Sequence, residues 1–250
     1  MDISHYLKRI DFIDKITVDN ETLAKLHEYH VLNVPFENLD IHFKKLFDLE
    51  IDNIFKKVVN NFRGGFCYEL NSLFNDLLCN IGFESRIIEA RIYDELGNLG
   101  PRYDHIAIFV KTNKNYLLDV GFGDLFTKPL EIREGIQSDG RNQFKIEIFD
   151  EQNFLLSMCS DETNFSRKYS FSLSKVQTTE FYDLCLDKQT NPLSYFVKNT
   201  VCTKPTSFGR QTVFNNRLIE KRGNDRIERF INNDDELKDI LSGQFKINIA

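Results

Sequence analysis

The sequence has little of what would assign it to several specialised protein classes. Its 250 residues include no tryptophan and only 5 prolines, and no apolar run approaches the ~20 residues that cross a bilayer. Residues 1–5 have neither the basic segment nor the apolar segment of a secretory leader. We therefore expect a cytoplasmic protein with no membrane partner.

Basic residues are in the minority. The chain has 32 Lys and Arg residues against 38 Asp and Glu residues, which gives a net charge of −6. A nucleic-acid surface needs a clustered excess of basic side chains. The basic run at residues 217–229 is interleaved with Glu220, Asp225 and Glu228, so it predicts a solvated face. We expect no nucleic-acid partner.

Cysteines are few and irregularly spaced. The five of them, with no CxxC pair, fit neither a disulfide framework nor a zinc site. His27 and His30 share a predicted helix face and could hold a metal, but a third ligand at metal spacing is missing. We expect free thiols, two histidines that pack at the edge of a core, and no metal cofactor.

Apolar residues, by contrast, are abundant. They make up 41% of the chain, and the aromatic residues include 23 phenylalanines. A chain of this length can bury a sizeable core, and aromatic side chains suit either a plain core or a slot for flat apolar ligands. The composition predicts a globular protein and leaves both roles open.

The hydrophobic period changes twice along the chain. Residues 1–83 follow a helical period, and residues 84–190 mostly alternate with a period of two, which predicts strands that curl into a sheet or small barrel. Residues 191–250 mix the two patterns, so the predicted fold class is α+β. The predicted elements near the end of the chain are a turn at Gly223-Asn224, a helix at residues 235–241 and a strand at residues 245–249.

One segment joins a glycine pair to the start of an amphipathic helix. In residues 63–71, RGGFCYELN, the apolar face begins at Leu70 and continues with a 3.6-residue period until a stop near Gly82. Cys67 lies in the first turn, where unpaired backbone N–H groups and the helix dipole favour an anion. We interpret Cys67 as a nucleophile with a lowered thiol pKa. The alternative is a buried structural thiol, which would not need the Arg-Gly-Gly turn.

A cysteine nucleophile needs a base and a third group that orients the base. His105 opens a strong predicted strand, and Asp119 lies in the next one. An odd-length loop between these strands pairs Val110 with Tyr116 and brings the histidine and the aspartate to one face, whereas a two-residue loop would separate them. An aspartate inside a buried strand also needs a partner. The spacing therefore permits a triad with Cys67.

Four segments carry a resemblance to a known family. They are VPFENLD at 34–40, RGGFCYELN at 63–71, the strand HIAIFV that His105 opens, and LLDVGFGD at 117–124. Together with shorter matches toward both ends, they resemble the arylamine N-acetyltransferase family over nearly the whole chain. The resemblance implies a helical bundle (1–83), a central β-barrel (84–190) and a C-terminal α/β lid (191–250), with a cysteine-protease-like catalytic core.

The same resemblance implies an activity and its co-substrate. Cys67, His105 and Asp119 would form a catalytic triad that takes an acetyl group from acetyl-coenzyme A. The cysteine would carry it as a thioester and pass it to an aromatic amine, hydroxylamine or hydrazine. We therefore expect an acyltransferase of xenobiotic metabolism that needs an acyl donor and no metal.

Further site residues follow from the resemblance alone. Phe36 and Phe122 would line the acceptor slot, and Gly123 would lie where the coenzyme approaches. Glu37 and Arg63 would form a buried pair that holds the active-site loops.

Two other classes stay open on the residues alone. A thiol hydrolase of the papain or transglutaminase kind would use the same triad, and would differ in whether water or an amine accepts the acyl group. A non-catalytic aromatic-binding protein is suggested only by the phenylalanine content. This last hypothesis leaves the turn before Cys67 unexplained.

Overall fold

The computed structural model describes residues 1–159, 164–223 and 225–249, and its first part is helical. The Asp19 carboxylate caps the second helix by accepting from Thr22 N–H at 2.8 Å, and Gly82, at φ +112°, ends the fifth. The elements are α1 (Ile3–Arg9), α2 (Asn20–Asn33), the two-residue strand β1 (Phe36–Glu37), α3 (Leu39–His42), α4 (Ile51–Phe55) with a π-helical turn (Lys56–Asn60), and α5 (Cys67–Ile81).

An eight-stranded antiparallel sheet follows and curls into a nearly closed barrel. Its strands are β2 (Glu84–Ile92), β3 (His105–Lys111), β4 (Asn115–Leu118), β5 (Leu130–Glu131), β6 (Gly135–Ser138), β7 (Gln143–Ile148), β8 (Asn153–Cys159) and β9 (Ser166–Ser172). They lie in the order β5-β4-β3-β2-β9-β8-β7-β6. The Gln137 side chain joins the two edges, because it accepts from Glu131 N–H and donates to Glu131 O. The predicted α+β fold with a barrel is confirmed.

The C-terminal part forms a second antiparallel sheet. A 3-10 turn (Thr178–Phe181) leads into α6 (Tyr182–Thr190) and α7 (Tyr195–Lys198), and the sheet is followed by α8 (Asp234–Gly243). The sheet strands, in spatial order, are β1, β10 (Val201–Thr206), β11 (Gly209–Phe214), β12 (Arg217–Arg222) and β13 (Asp225–Phe230). Because β1 comes from the helical part and pairs with β10, the parts interlock. The division at 83/84 and 190/191 stays a prediction.

Strand β3 lies between two apolar cores. Ile106 and Ile108 pack into the core that contains the helices, whereas Ala107 and Phe109 pack into the core of the barrel. This alternation is the period of two that a strand imposes. His105 shares the barrel-facing side, at the seam where α5 packs against β2 and β3.

The C-terminal end differs from the prediction. The predicted strand at residues 245–249 is wrong, because Lys246 has φ +55° and breaks the extended chain, although Phe245 and Ile247 are fully buried. Strands β10 and β13 are also absent from the prediction. Pro205 and a high density of charge hide their pattern. Asn224 of the predicted Gly223-Asn224 turn lies outside the described residues.

Candidate active site

Cys67 is the first residue of α5, and a local network holds this helix start in place. The first intrahelical hydrogen bond runs from Leu70 N–H to Phe66 O at 2.9 Å, so the Cys67 N–H has no partner within the helix. The Glu69 carboxylate accepts from Phe66 N–H at 2.8 Å and pairs with the Lys57 ammonium at 2.8 Å. The thiol therefore lies at a helix N-terminus that a buried ion pair anchors.

The glycine pair before the thiol is required by a close passage of two chain segments. A Cβ on Gly64 would lie 2.3 Å from the Pro35 carbonyl oxygen, and Gly65 O accepts from Glu37 N–H at 2.9 Å. Beside them, the Arg63 guanidinium binds the Glu37 carboxylate at 2.7 Å, with both side chains buried. The expected pair is present, and it fixes residues next to β1 against the start of α5.

The hairpin of β3 and β4 has the register that an odd-length loop predicts. Val110 pairs with Tyr116, so of the two registers that the sequence left open, that of the odd-length loop is present. The same register leaves His105 and Asp119 on one face. The structure brings their side chains together, with 2.7 Å between His105 Nε2 and Asp119 Oδ2.

The groups around Asp119 hold it as a carboxylate. Its Oδ1 accepts from Asn71 Nδ2 at 2.9 Å and from the N–H groups of Gly121 and Phe122 at 3.0 Å each. Burial alone would raise the pKa of this carboxyl, but the His105 imidazole and the Asn71 and Gly121 donors lower it below its ordinary value. An ionised carboxylate only accepts hydrogen bonds, so the imidazole proton faces it on Nε2.

This hydrogen bond sets the tautomer of His105. With its proton on Nε2, the neutral imidazole presents Nδ1 as an acceptor. The rings of Phe122 and Tyr169 pack against it at centroid distances of 5.4 and 5.6 Å. His105 and Cys67 line the same open cleft of about 720 Å³. No hydrogen bond joins the thiol to the imidazole in the described chain, and contacts of this kind commonly tighten only when substrate binds.

The thiol departs from the sequence-based expectation. Burial raises the pKa of the Cys67 thiol well above its ordinary value, and the Lys188 ammonium offsets only part of this effect. The residue is only 6% exposed, and this loss of solvation opposes the effect of the helix N-terminus. The expectation of a lowered thiol pKa is therefore wrong. Reactivity has to come from transfer of the thiol proton to a partner.

The cleft is aromatic next to the thiol. Phe36 and Phe122, which the sequence assigns to an acceptor slot, both line it, and so does Phe196, whose ring centroid lies 6.1 Å from that of Phe36. Gly123 also lines the cleft and has φ +90°. A Cβ at this glycine would lie 3.3 Å from the Phe36 ring, so a side chain there would press on the aromatic wall.

One face of the five-stranded sheet forms the outer wall of the cleft. Arg217, Lys221 and Arg226 lie on this face. Arg217 and Arg226 both pair with Glu228, so three cations face one carboxylate. The basic side chains at residues 217, 221, 222, 226 and 229 are partly or fully exposed, as expected, and three of them also supply part of the cleft wall.

Two residues support the triad, although the sequence did not assign either of them this role. Asn71, one helical turn after the thiol, binds Asp119 and also accepts from Val120 N–H at 2.9 Å. Its position on the same helix face was an available signal. His27 Nε2 accepts from Asp119 N–H at 3.2 Å, and its Nδ1 donates to Thr127 O at 3.0 Å. These contacts join segments 92 residues apart or more, so no local pattern indicates them.

The state of four cysteines and the packing of two histidines follow the sequence-based expectations. Cys67, Cys79, Cys185 and Cys202 are free thiols. His27 and His30 are buried and pack against the Phe74 ring. Within the described ranges, no group of His, Cys, Asp and Glu residues is arranged to hold a metal ion. In the same residues, no helix has the length and apolar character needed to cross a membrane.

Comparison with known proteins places this geometry in a family. A sequence model described as N-acetyltransferase matches residues 19–250. Arylamine N-acetyltransferase 1 of Homo sapiens is 28% identical over 278 residues, which covers 100% of this chain and 95% of that protein. The arylamine N-acetyltransferase of M. tuberculosis superimposes with a TM-score of 0.91 at 25% identity, over 99% of this chain and 94% of that one.

A further solved structure includes the coenzyme. The arylamine N-acetyltransferase of Mycobacterium marinum in complex with CoA has a TM-score of 0.90 at 23% identity, over 98% of this chain and 93% of that one. The fold is shared along the whole length of the chain. The chain belongs to the arylamine N-acetyltransferase family.

Proposed function

We propose that this chain transfers an acetyl group from acetyl-coenzyme A to an arylamine, N-hydroxyarylamine or arylhydrazine. In this proposal Cys67 is the nucleophile, His105 is the base and Asp119 orients the base. One observation carries it: the Asp119 carboxylate fixes the His105 tautomer at 2.7 Å inside the cleft that also contains the Cys67 thiol. The family supplies the reaction type and the acyl donor.

The first half-reaction acylates the thiol. As Cys67 Sγ attacks the carbonyl carbon of the donor thioester, His105 Nδ1 takes the thiol proton, and Asp119 stabilises the resulting imidazolium. The unpaired Cys67 N–H is available to the oxyanion that develops on the carbonyl. The coenzyme sulfur then leaves with the proton from His105. One thioester replaces another, so this step has little thermodynamic cost.

The second half-reaction passes the acetyl group to the amine. An aromatic amine between Phe36 and Phe122 would meet the acetyl carbonyl beside the imidazole. The amine nitrogen attacks, His105 takes its proton, and the Cys67 sulfur leaves to regenerate the thiol. The slot and the triad therefore serve one carbonyl carbon in both steps.

The outer wall of the cleft supports an acyl donor that carries phosphate groups. Arg217, Lys221 and Arg226 present three cations against one carboxylate at the cleft wall. Phosphate oxygens are bound well by such side chains. We propose that this wall binds the nucleotide half of the coenzyme. Gly123 would then lie beside Phe36 where the coenzyme approaches the thiol.

The thiol hydrolase is the second candidate and is not favoured. It would use the same three residues, but family membership indicates transfer to an amine. The two differ in what happens to the acetyl-enzyme without an amine. In a transferase the acetyl-enzyme persists, because water does not attack the buried carbonyl in a productive geometry. In a hydrolase water attacks this carbonyl and releases acetate.

Steady-state kinetics test the proposal. Initial rates against amine concentration, at several fixed concentrations of acetyl-coenzyme A, should give parallel double-reciprocal lines, as two half-reactions require. Intersecting lines without an acetylated enzyme would contradict the covalent route. Equal rates of coenzyme release with and without amine would establish the hydrolase instead.

A further inference from the structure

An ion pair lies beside the thiol and has no part in the triad. The Lys188 Nζ on α6 lies 2.6 Å from Asp104 Oδ1, and both side chains are largely buried. Asp104 directly precedes His105, and its other carboxylate oxygen accepts from Ile92 N–H at 3.3 Å. Lys188 and Asp104 both line the cleft that contains Cys67. Two opposite charges are thus held next to the nucleophile.

The pair is fixed in place from several sides. The Lys188 ammonium also lies over the Phe196 ring, 5.6 Å from its centroid. The Tyr68 hydroxyl, on the helix that begins with the thiol, donates to the Asp104 carbonyl oxygen at 3.1 Å. Because both partners of the pair are anchored, neither charge can swing away from the thiol without losing a contact.

The charge balance at the thiol depends on few groups. Lys188 favours the thiolate, whereas Asp104 and Asp119 oppose it. Cys185 also opposes it, but burial raises the pKa of the Cys185 thiol to about 12, and Asp119 is bound to His105, so the fixed charges that remain are those of the pair. The titratable groups around the thiol are Lys188 and Cys185 on α6, Asp104 and His105 at the start of β3, Asp119 after β4, and Tyr68 on α5.

We propose that Lys188 and Asp104 are a charge-compensated pair that sets the pH at which Cys67 gives up its proton. Both are positioning residues, since they act through the thiol and not on the acetyl group. The proposal deepens the proposed function, because it rests on Cys67 as the nucleophile. Because Cys67, Lys188 and Asp104 are each largely buried, each charge of the pair acts on the thiol with less screening than at the surface. Removal of Lys188 should therefore raise the pH at which Cys67 gives up its proton, and removal of Asp104 should lower it.

The test is the pH dependence of Cys67 alkylation by iodoacetamide in the intact protein. Alkylation is read on the peptide that carries Cys67, so that the exposed Cys79 is counted separately. Lys188→Met should move the midpoint of the profile up by about one pH unit, and Asp104→Asn should move it down by a smaller amount, since Asp104 acts on the thiol less strongly than Lys188. The midpoint of the double variant should lie between those of the two single variants.

Matched controls use exposed charges outside the cleft. Lys198→Met and Asp183→Asn remove one charge of each sign and should leave the midpoint unchanged. If Lys188→Met does not fold, Lys188→Gln keeps a donor for Asp104 and must still shift the midpoint upward. A pair with only a structural role would shift both single variants in the same direction or leave both unshifted, and either result would overturn the proposal. Since no acyl donor is used, the result can be interpreted even if the transferase activity is absent.

Discussion

The two sides of the cleft are built in different ways. On the side of the triad, the buried side chains of His105 and Asp119 bind each other, and Asp119 also binds Asn71 and the backbone N–H groups of Gly121 and Phe122. On the opposite wall, Arg217 and Arg226 are partly exposed and share one carboxylate. Loss of a partner leaves a buried group unsatisfied on the first side, whereas water replaces it on the second. We infer that the first side fixes the covalent chemistry and the second adjusts binding.

The largest effect on activity is expected from a substitution at the centre of the buried side, Asp119→Asn. In Asp119→Asn, three donors already face Oδ1, so the amide oxygen should take that place and the NH₂ should face His105. The imidazole proton then moves to Nδ1, which can no longer accept from the thiol. The turnover number should fall by about 10³–10⁴ with the fold retained, as measured by single-turnover acetyl transfer and circular dichroism.

The matched control for this change is Asp124→Asn at the cleft rim, where the side chain is 60% exposed. It should keep activity within a few-fold of the wild type. An Asp119→Asn enzyme with more than a tenth of the wild-type turnover number would remove Asp119 from the role proposed for it.

The second-largest effect is expected at Asn71, which binds Asp119 but is not itself a member of the triad. Asn71→Ala removes one donor to Asp119 and leaves the Val120 N–H without its acceptor. Stability should fall by about 1–3 kcal/mol and the turnover number by roughly 10- to 100-fold. Urea denaturation and steady-state rates measure both. Asn75→Ala, one turn further along α5, is the control, and equal activity of the two variants would show that the support is dispensable.

The hairpin made the site predictable in part. The odd-length loop between β3 and β4, residues 112–114 in the structure, fixes the register, and the register alone brings His105 and Asp119 to one face. Cys67 could be predicted because a glycine pair and an amphipathic helix are both local patterns. These signals depend on residues close in sequence, so single-sequence reasoning reaches them.

The remaining contacts could not be predicted, because they depend on distant segments. His27 binds the Asp119 backbone across 92 residues, and Lys188 reaches Asp104 from a helix beyond the barrel. The sign of the Cys67 pKa shift was wrong for a related reason. The helix N-terminus is visible in the sequence, but the burial that opposes it arises only when the parts of the fold pack together.

A smaller effect is expected on the exposed wall. The double variant Lys221→Ala/Arg226→Ala should raise the KM for acetyl-coenzyme A by roughly three- to tenfold with the turnover number unchanged within twofold. The difference should shrink as salt is added, because the charges are exposed. Lys238→Ala on α8 is the control and should leave KM unchanged. A large fall in the turnover number instead would contradict the inference that the exposed wall affects binding and not the covalent chemistry.

The smallest effect concerns buried histidines behind the triad. Burial lowers the pKa of His27 and holds that of His30 well below its ordinary value. The unfolded chain, with a histidine pKa near 6.5, binds more protons below that pH, so stability is full above about pH 6.5 and is lost as pH falls. Each group contributes at most about 1.4 kcal/mol per pH unit. His30→Gln should flatten the melting temperature against pH below 6.5, whereas His5→Gln, at an exposed position, should not; equal slopes would contradict this account.

The covalent route through Cys67 is tested most directly by the intact mass of the protein after mixing with acetyl-coenzyme A alone. We expect one added acetyl group on the peptide that carries Cys67, one equivalent of free coenzyme released in a burst, and discharge of the acetyl group when an arylamine is added. Cys67→Ser should show neither the added mass nor the burst. An active enzyme that never carries an acetyl group, or carries it on another residue, would contradict the account.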